Sequence, residues 1–143
     1  MKRDKYDAVV SDLVRERAHW TCERCGIVDA DGQARGKSYG MHCSHFFGRG
    51  AGNCSRYDTD LLTCLCASCH KYLGDRPNEH TAFIIKKVGE TFLEMTTEKH
   101  SATRKMTPEE KDEMYQHYKK ELKRIKKLRA DGIMGMSHTV SWF

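Results

Sequence analysis

The chain is 143 residues long with a net charge of +5, and 38% of its residues are apolar while 31% are charged. This length predicts a single domain, and the low apolar fraction predicts a small core that a structural metal would stabilise. No run approaches the roughly 18 apolar residues of a membrane span, and the N-terminus lacks the apolar segment of a secretory signal. We therefore expect a cytoplasmic protein without membrane association, whose positive charge is compatible with a nucleic-acid partner.

The first part of the chain predicts a capped helix and two strands. Asp4 can cap a helix that runs to about Ala18 along a stripe of apolar residues. Glycine and small polar residues over 26–40 predict a loop or irregular hairpin. Aromatic and apolar residues predict strands over 39–47 and 60–65.

Helices dominate the prediction for the rest of the chain. A short helix follows the second strand and ends near Gly74, a further helix covers about 79–88, and a shorter helical turn comes after it. The sequence thus predicts two parts. Residues 1–77 form a zinc-stabilised core with an N-terminal helix, and residues 78–143 form a helical extension.

The longest helix is predicted from a clear N-terminal signal. Thr107 is the N-cap, Pro108 occupies the first helical position, and Glu110 completes a capping box for a helix that runs to about Ala130. Its apolar stripe is long enough for a homodimer contact between two copies of this helix. Five lysines in its second half fit contact with DNA phosphates, which is compatible with a solvated helix whose apolar stripe packs on the core: Lys119, Lys120, Lys123, Lys126 and Lys127.

Two Cys-x-x-Cys pairs give the strongest metal-binding signal. Cys22 with Cys25, and Cys66 with Cys69, supply the four thiolates of a tetrahedral structural Zn²⁺ site. Seven cysteines are an odd number, which also favours metal binding over a disulfide framework when no export signal is present.

The other three cysteines leave two interpretations open. Cys43, Cys54 and Cys64 are expected to be small buried apolar residues. The alternative is a second zinc site built from His42, Cys43, His45 and Cys54.

Two histidines point to phosphodiester chemistry. Hydrolysis of a phosphodiester needs a base that activates water and a cation that neutralises charge on the phosphate. His45 on the first strand can be the base, and His70 at the start of the facing helix can hold the ion. The zinc site would fix one element against the other. A structural zinc-ligand role or surface position for His45, and a helix-capping role for His70, are the alternatives.

The order of these motifs resembles a known family. Cys-x-x-Cys, histidine, strand and Cys-x-x-Cys-His is similar to the HNH endonucleases with a ββα-metal core. More narrowly, the segment Cys43-Ser44-His45-Phe46-Phe47-Gly48-Arg49-Gly50 resembles the phage NinG (Rap) recombination nucleases. The resemblance implies an α+β fold with a small zinc-stabilised HNH-like core, an N-terminal helix and a helical C-terminal extension.

Site residues follow from the resemblance, with two departures. It implies His45 as the general base and His70 as a ligand of a catalytic divalent cation, Mg²⁺ or Mn²⁺. Ser44 stands where many HNH enzymes have a metal-binding residue, and Leu61 stands near the position of the base-orienting asparagine. Three residues are candidates for these missing roles: His42, Asp58 and Asp60.

DNA contacts are predicted beside the two histidines. Arg49 follows His45 in a glycine-rich loop, and Arg56 and Lys71 flank the same region, so each can meet a phosphate or be solvated surface charge. The resulting hypothesis is a metal-dependent DNA endonuclease that acts on branched recombination intermediates such as Holliday junctions. The alternative is a non-catalytic zinc-stabilised DNA-binding or recombination accessory module.

Overall fold

The computed structural model describes residues 2–48, 54–101 and 104–143 as a mixture of helices and one small sheet. Among these residues, short 3-10 turns at Cys54–Tyr57 and Thr59–Leu61 precede the second strand. The longer elements follow one another in this order: α1 (Lys5–Arg17), α2 (Ala30–Arg35), β1 (Met41–His45), β2 (Leu62–Cys66), α3 (Ala67–Gly74), α4 (Pro77–Val88), α5 (Glu90–Lys99) and α6 (Pro108–Ala130).

The two strands form an antiparallel pair that continues directly into α3. The register pairs Met41 with Cys66 and His45 with Leu62. The first four residues of β2 are buried, which explains why this strand is nearly all apolar in sequence. The predicted α+β class and both strands are confirmed, and β1, β2 and α3 follow in the expected order. The finer ββα-metal assignment stays a prediction.

Helix caps agree with the sequence at both ends of the chain. Asp4 accepts a hydrogen bond from the Asp7 amide at 2.8 Å while the Asp7 carboxylate accepts one from the Asp4 amide at 2.9 Å. Thr107 and Glu110 form the same reciprocal arrangement at the start of α6. Each cap satisfies donors that the first turn of a helix leaves without partners.

The main core lies between α1, α6 and the sheet. Leu13, Val14 and Leu65 are fully buried there together with Tyr118 and Ile125 of α6. The apolar stripe of α6 is therefore covered by the chain itself, so a homodimer through this helix would need another face. Residues from both sides of position 77 contribute to this core. The division of the chain into 1–77 and 78–143 stays a prediction.

Three local expectations were wrong in detail. The region 26–40, predicted as a loop or irregular hairpin, contains α2, because the Asp29 side chain caps it by accepting from the Gly32 amide at 3.1 Å. Helix α4, expected over about 79–88, begins earlier, at Pro77, since proline fits the first helical position, where no amide donor is needed. Helix α5 is ten residues long rather than a single turn.

No helix among the described residues combines the length and apolar character that crossing a bilayer requires.

Candidate functional site

The cysteines of the two Cys-x-x-Cys pairs, each of which forms a knuckle, converge on one point. Cys22 and Cys25 lie in the turn after α1, Cys66 ends β2, and Cys69 lies in the first turn of α3. Their Sγ atoms all lie within 4.8 Å of one another, and those of Cys25 and Cys66 are 3.8 Å apart. Tetrahedral zinc with Zn–S bonds of about 2.3 Å requires sulfur–sulfur separations of about 3.8 Å. The four cysteines can therefore hold a structural metal such as zinc.

Local hydrogen bonds favour ionisation of one thiol of this cluster, whereas burial raises the pKa of the Cys69 thiol to about 12. Burial by itself would raise the pKa of the Cys66 thiol, but the Ser68 hydroxyl and the Cys69 backbone amide lower it to about 6. Arg24 donates to the Cys69 sulfur at 3.4 Å and its guanidinium stacks over the Tyr72 ring at 4.1 Å. A positive group at this position offsets the net negative charge of four thiolates around one Zn²⁺.

The first knuckle is tied to β2 by an interaction that sequence reasoning missed. Glu23 receives a hydrogen bond from the Cys64 amide at 2.6 Å, and its own amide donates to the Cys64 carbonyl at 2.9 Å. The same carboxylate pairs with Lys87 of α4 at 2.8 Å. Glu23 thus holds Cys22 and Cys25 in position relative to Cys66.

A second zinc site is not formed. Within residues 2–48, 54–101 and 104–143, the four knuckle cysteines are the sole group of three or more possible ligands whose donor atoms come this close. Cys54 instead lies buried, where its thiol donates to the Arg104 carbonyl at 3.5 Å. Cys64 is also fully buried, as expected for a small apolar residue, while Cys43 is partly buried.

His42 of β1 and His70 of α3 face each other. Their Nδ1 atoms are 2.9 Å apart, and the two rings meet edge to face with centroids 5.1 Å apart. Burial lowers the pKa of His70, and the nearby rings of His42 and His80 lower it further, so neutral imidazole is favoured there. Neutral imidazole nitrogen is the form that binds metal ions.

His45 lies at the end of β1, between two cavities that we name separately. The histidine cleft has a volume of about 540 Å³ and is lined by His42, His45 and His70 together with Arg3, Ser11 and Arg15. The aromatic pocket has a volume of about 450 Å³, and its walls include Phe46, Phe47 and His80. Three residues line both cavities: His45, Gly48 and His70.

Of the three candidates for the missing site roles, His42 alone meets His70. Asp58 is 1% exposed and is engaged elsewhere, since it binds His100 Nε2 at 2.8 Å and accepts a hydrogen bond from the Ser141 hydroxyl at 2.8 Å. Asp60 lines a different cavity. Leu61 is buried in a small cluster with Ile84 and Leu93, where it has a packing role.

A comparison with protein families identifies the chain. The sequence model described as Bacteriophage Lambda NinG protein matches residues 3–129, which include both knuckles, both strands and nearly all of α6. The chain belongs to the NinG family. No curated protein and no solved structure matches it. The expectation of NinG membership is confirmed, and assignment to the HNH nucleases within it stays a prediction.

The predicted DNA contacts of this NinG protein are placed very differently from one another. Arg49 lies outside the described residues. Lys71 is 81% exposed next to His70 and forms a surface ion pair with Asp75 at 2.9 Å. Arg56 is turned inward, where its guanidinium forms a two-pronged ion pair with the buried Asp7 carboxylate. The Arg56 charge is therefore directed to Asp7 and not to the surface where DNA would lie.

Two arginines of the histidine cleft were not predicted. Arg3 is exposed, and Arg15 is mostly buried, with an ion pair to Asp12 at 2.6 Å and its guanidinium over the Trp20 ring. Ser11 and Arg15 are one helical turn apart, so the sequence places them on one face of α1. It does not reveal that this face meets β1, which only the packing of α1 against the sheet decides.

Proposed function

We propose that this NinG protein is a metal-dependent DNA endonuclease whose active site is the histidine cleft. The observation that carries the proposal is the convergence of His42, His45 and His70 on a cleft that also contains Arg3 and Arg15. Phosphodiester hydrolysis requires these same elements: a base, ligands for a cation, and positive groups for the phosphate.

His45 is the proposed general base. Its place at the end of β1 puts it at the junction of the histidine cleft and the aromatic pocket, where a water molecule and a phosphodiester can both reach it. An imidazole with a pKa near neutrality can take a proton from water during attack on phosphorus and release it afterwards.

His42 and His70 are the proposed ligands of the catalytic ion. Their Nδ1 atoms converge at 2.9 Å, where one ring donates a hydrogen bond to the other, and a divalent cation would take the place of the proton that they share. A divalent cation bound there would neutralise negative charge on the phosphate and on the leaving oxygen. His42 would then supply the ligand that Ser44 does not provide.

The choice of cation follows from the ligand types. The described residues lining the histidine cleft include no carboxylate. Mg²⁺ and Mn²⁺ both prefer oxygen ligands, but Mn²⁺ accepts imidazole nitrogen more readily than Mg²⁺ does. We therefore propose that Mn²⁺ supports activity better than Mg²⁺.

Phosphate contacts would come from basic residues in the cleft and beside it. Arg3, which precedes α1, and Arg15 of α1 line the cleft, and the exposed Lys71 follows His70 on α3. The lysines of α6 would add contacts that do not depend on base sequence. Branched recombination intermediates are the proposed substrate class, on the basis of NinG membership.

The second candidate function is a zinc-stabilised DNA-binding accessory module without catalysis. Two positions favour it. Ser44 is 2% exposed, and Leu61 is 1% exposed with an aliphatic side chain, so neither can bind a metal or orient His45 as HNH residues at these positions do.

A cleavage assay separates the two functions. Linear, flap and four-way-junction DNA would be incubated with the protein and Mn²⁺, Mg²⁺ or no added metal, and in parallel with His45→Ala. His138→Ala is the matched control, because His138 lines a different cavity. Cleavage that requires metal and is lost only in His45→Ala supports the endonuclease. Cleavage that persists in His45→Ala contradicts the assignment of the base, and junction binding without cleavage under every metal condition supports the accessory module.

A further inference from the structure

The aromatic pocket beside the histidine cleft has no role in the proposed hydrolysis. Phe46 and Phe47 follow β1 directly, and their rings meet edge to face with centroids 4.9 Å apart. His80 of α4 contacts Phe46 in the same manner at 5.3 Å. All three rings are only partly buried, while Leu73, also in the pocket wall, is 2% exposed.

We propose that this pocket binds one unpaired nucleobase of the DNA strand whose phosphate occupies the histidine cleft. The proposal rests on the proposed function for the position of that phosphate. It makes recognition of an unstacked base the means by which the protein selects branched or distorted DNA over continuous duplex.

The first argument is the continuity of the two cavities. His45, Gly48 and His70 line both, so the cavities meet at the proposed base and the proposed ion ligand. A nucleotide joins its phosphate to its base through one sugar. A phosphate beside His45 would therefore bring an attached base to the mouth of the aromatic pocket.

The second argument is the chemistry of the pocket. Its described lining residues include no Lys, Arg, Asp or Glu, so the pocket suits a neutral group and not a second phosphate. Phe46 and Phe47 supply aromatic surface, and the polar groups of the partly exposed His80 and Thr81 can supply hydrogen-bonding partners. A nucleobase combines apolar faces with polar edges in the same way. Burial lowers the pKa of His80, which keeps this ring neutral.

The third argument concerns which bases can enter. A paired base inside a duplex has both faces covered by its neighbours, and extruding it costs a few kcal/mol. An unpaired base at a bulge, flap or branch point avoids most of this cost. Stacking on protein aromatic rings would then favour such DNA by about tenfold over fully paired duplex of the same length.

The test is a binding measurement that does not depend on cleavage. Affinities for a duplex with one unpaired base and for the matched perfect duplex would be compared by fluorescence anisotropy without added divalent cation. Phe47→Leu keeps apolar bulk against the neighbouring core cluster but removes the Phe47 ring. His80→Ala removes the imidazole ring that α4 contributes to the pocket. The control is Phe92→Leu, because Phe92 is 40% exposed on α5 and does not line the pocket.

We expect wild type and Phe92→Leu to prefer the unpaired base by about tenfold, and Phe47→Leu and His80→Ala to lose that preference while their affinity for perfect duplex is unchanged. Equal affinity of the wild-type protein for both DNAs, or no DNA binding, would overturn the proposal. Loss of preference in the matched control would do so as well.

Photocrosslinking tests the pocket with the wild-type protein alone, so its result does not depend on whether a variant folds. DNA with 5-bromouracil at the unpaired position should crosslink to the peptide that contains Phe46 and Phe47 or to the one that contains His80. A crosslink confined to other peptides would overturn the pocket. The outcome is separable from the proposed function, since a preference for the unpaired base without any cleavage would retain the pocket and reject the endonuclease.

Discussion

His42 and His70 are 28 residues apart in sequence, yet their Nδ1 atoms are 2.9 Å apart. The antiparallel register pairs His42 with Leu65, and the chain passes without a loop from β2 into α3, which brings His70 back beside His42. The same strand–helix junction contains Cys66 and Cys69. A zinc ion bound by the cysteines would therefore also stabilise the position of His70.

Substitution of His42 should weaken binding of the proposed catalytic ion. We expect His42→Ala and His70→Ala each to raise the Kd for Mn²⁺ by at least about tenfold, because each removes one of two imidazole ligands. Titration calorimetry with the zinc-loaded protein measures this effect. His117→Ala is the control, since His117 lies on α6 and binds the Val140 carbonyl. An unchanged Mn²⁺ affinity in His42→Ala would show that the ion does not use His42.

Loss of a knuckle cysteine should remove zinc and destabilise the whole core. For Cys25→Ser and Cys66→Ser we expect less than one zinc per chain and a fall in the Tm of more than about 10 °C, because binding of a structural metal contributes directly to folding. Cys54→Ser should retain zinc, since Cys54 lies outside the cluster. Metal analysis by mass spectrometry together with thermal unfolding gives both values. Full zinc content in Cys25→Ser would contradict the four-cysteine assignment.

Arg56 should matter for stability and not for DNA affinity. Asp7 is 2% exposed and the Arg56 side chain is 11% exposed, so Arg56→Ala leaves a buried carboxylate without its cation. We expect the free energy of unfolding to fall by about 3 kcal/mol. Denaturant unfolding measures this, and DNA affinity would be compared at a temperature at which the variant stays folded.

Arg3→Ala should show the opposite behaviour. Arg3 is exposed at the histidine cleft, so its removal should leave stability unchanged, weaken DNA binding and reduce the slope of log affinity against log salt by about 1. A stable Arg56→Ala variant with weakened DNA binding would restore the original prediction of a phosphate contact at Arg56.

Tyr118 should make stability sensitive to alkaline pH. Its hydroxyl donates to the Tyr57 carbonyl at 2.7 Å and accepts from the Trp142 amide at 3.2 Å. Burial raises the pKa of Tyr118 from near 10 to about 12, so the stability it contributes is present below pH 10 and is lost as the pH rises towards 12.

The Tyr118→Phe variant tests this contribution. At neutral pH we expect its free energy of unfolding to be lower than wild type by about 1–2 kcal/mol, and the difference to shrink above about pH 10. Urea unfolding followed by tryptophan fluorescence measures both. Tyr39→Phe is the control, because Tyr39 is 99% exposed. A difference that grows with pH would contradict the assigned role.

Some features of this NinG protein follow from residues that are close in sequence. The caps at Asp4 and Thr107 each depend on partners three residues away, and each Cys-x-x-Cys pair positions two sulfurs within one turn. The α2 helix was missed although Asp29 is a good N-cap, because the glycines and small polar residues around it favoured a loop. Local patterns were therefore sufficient for most elements and for the two cysteine pairs of the possible metal site.

The amino-acid sequence by itself determined the four-cysteine cluster that can hold a structural metal, the strands, the capped helices and the family, since these depend on short-range spacing and hydrogen bonding. Tertiary structure decided which charged and ligating groups meet. It separated Asp58 and Asp60 from the site and left His42 beside His70. It also directed Arg56 inward to Asp7, because a carboxylate buried by the packing of α1 needs a cation from a part of the chain that lies 49 residues away.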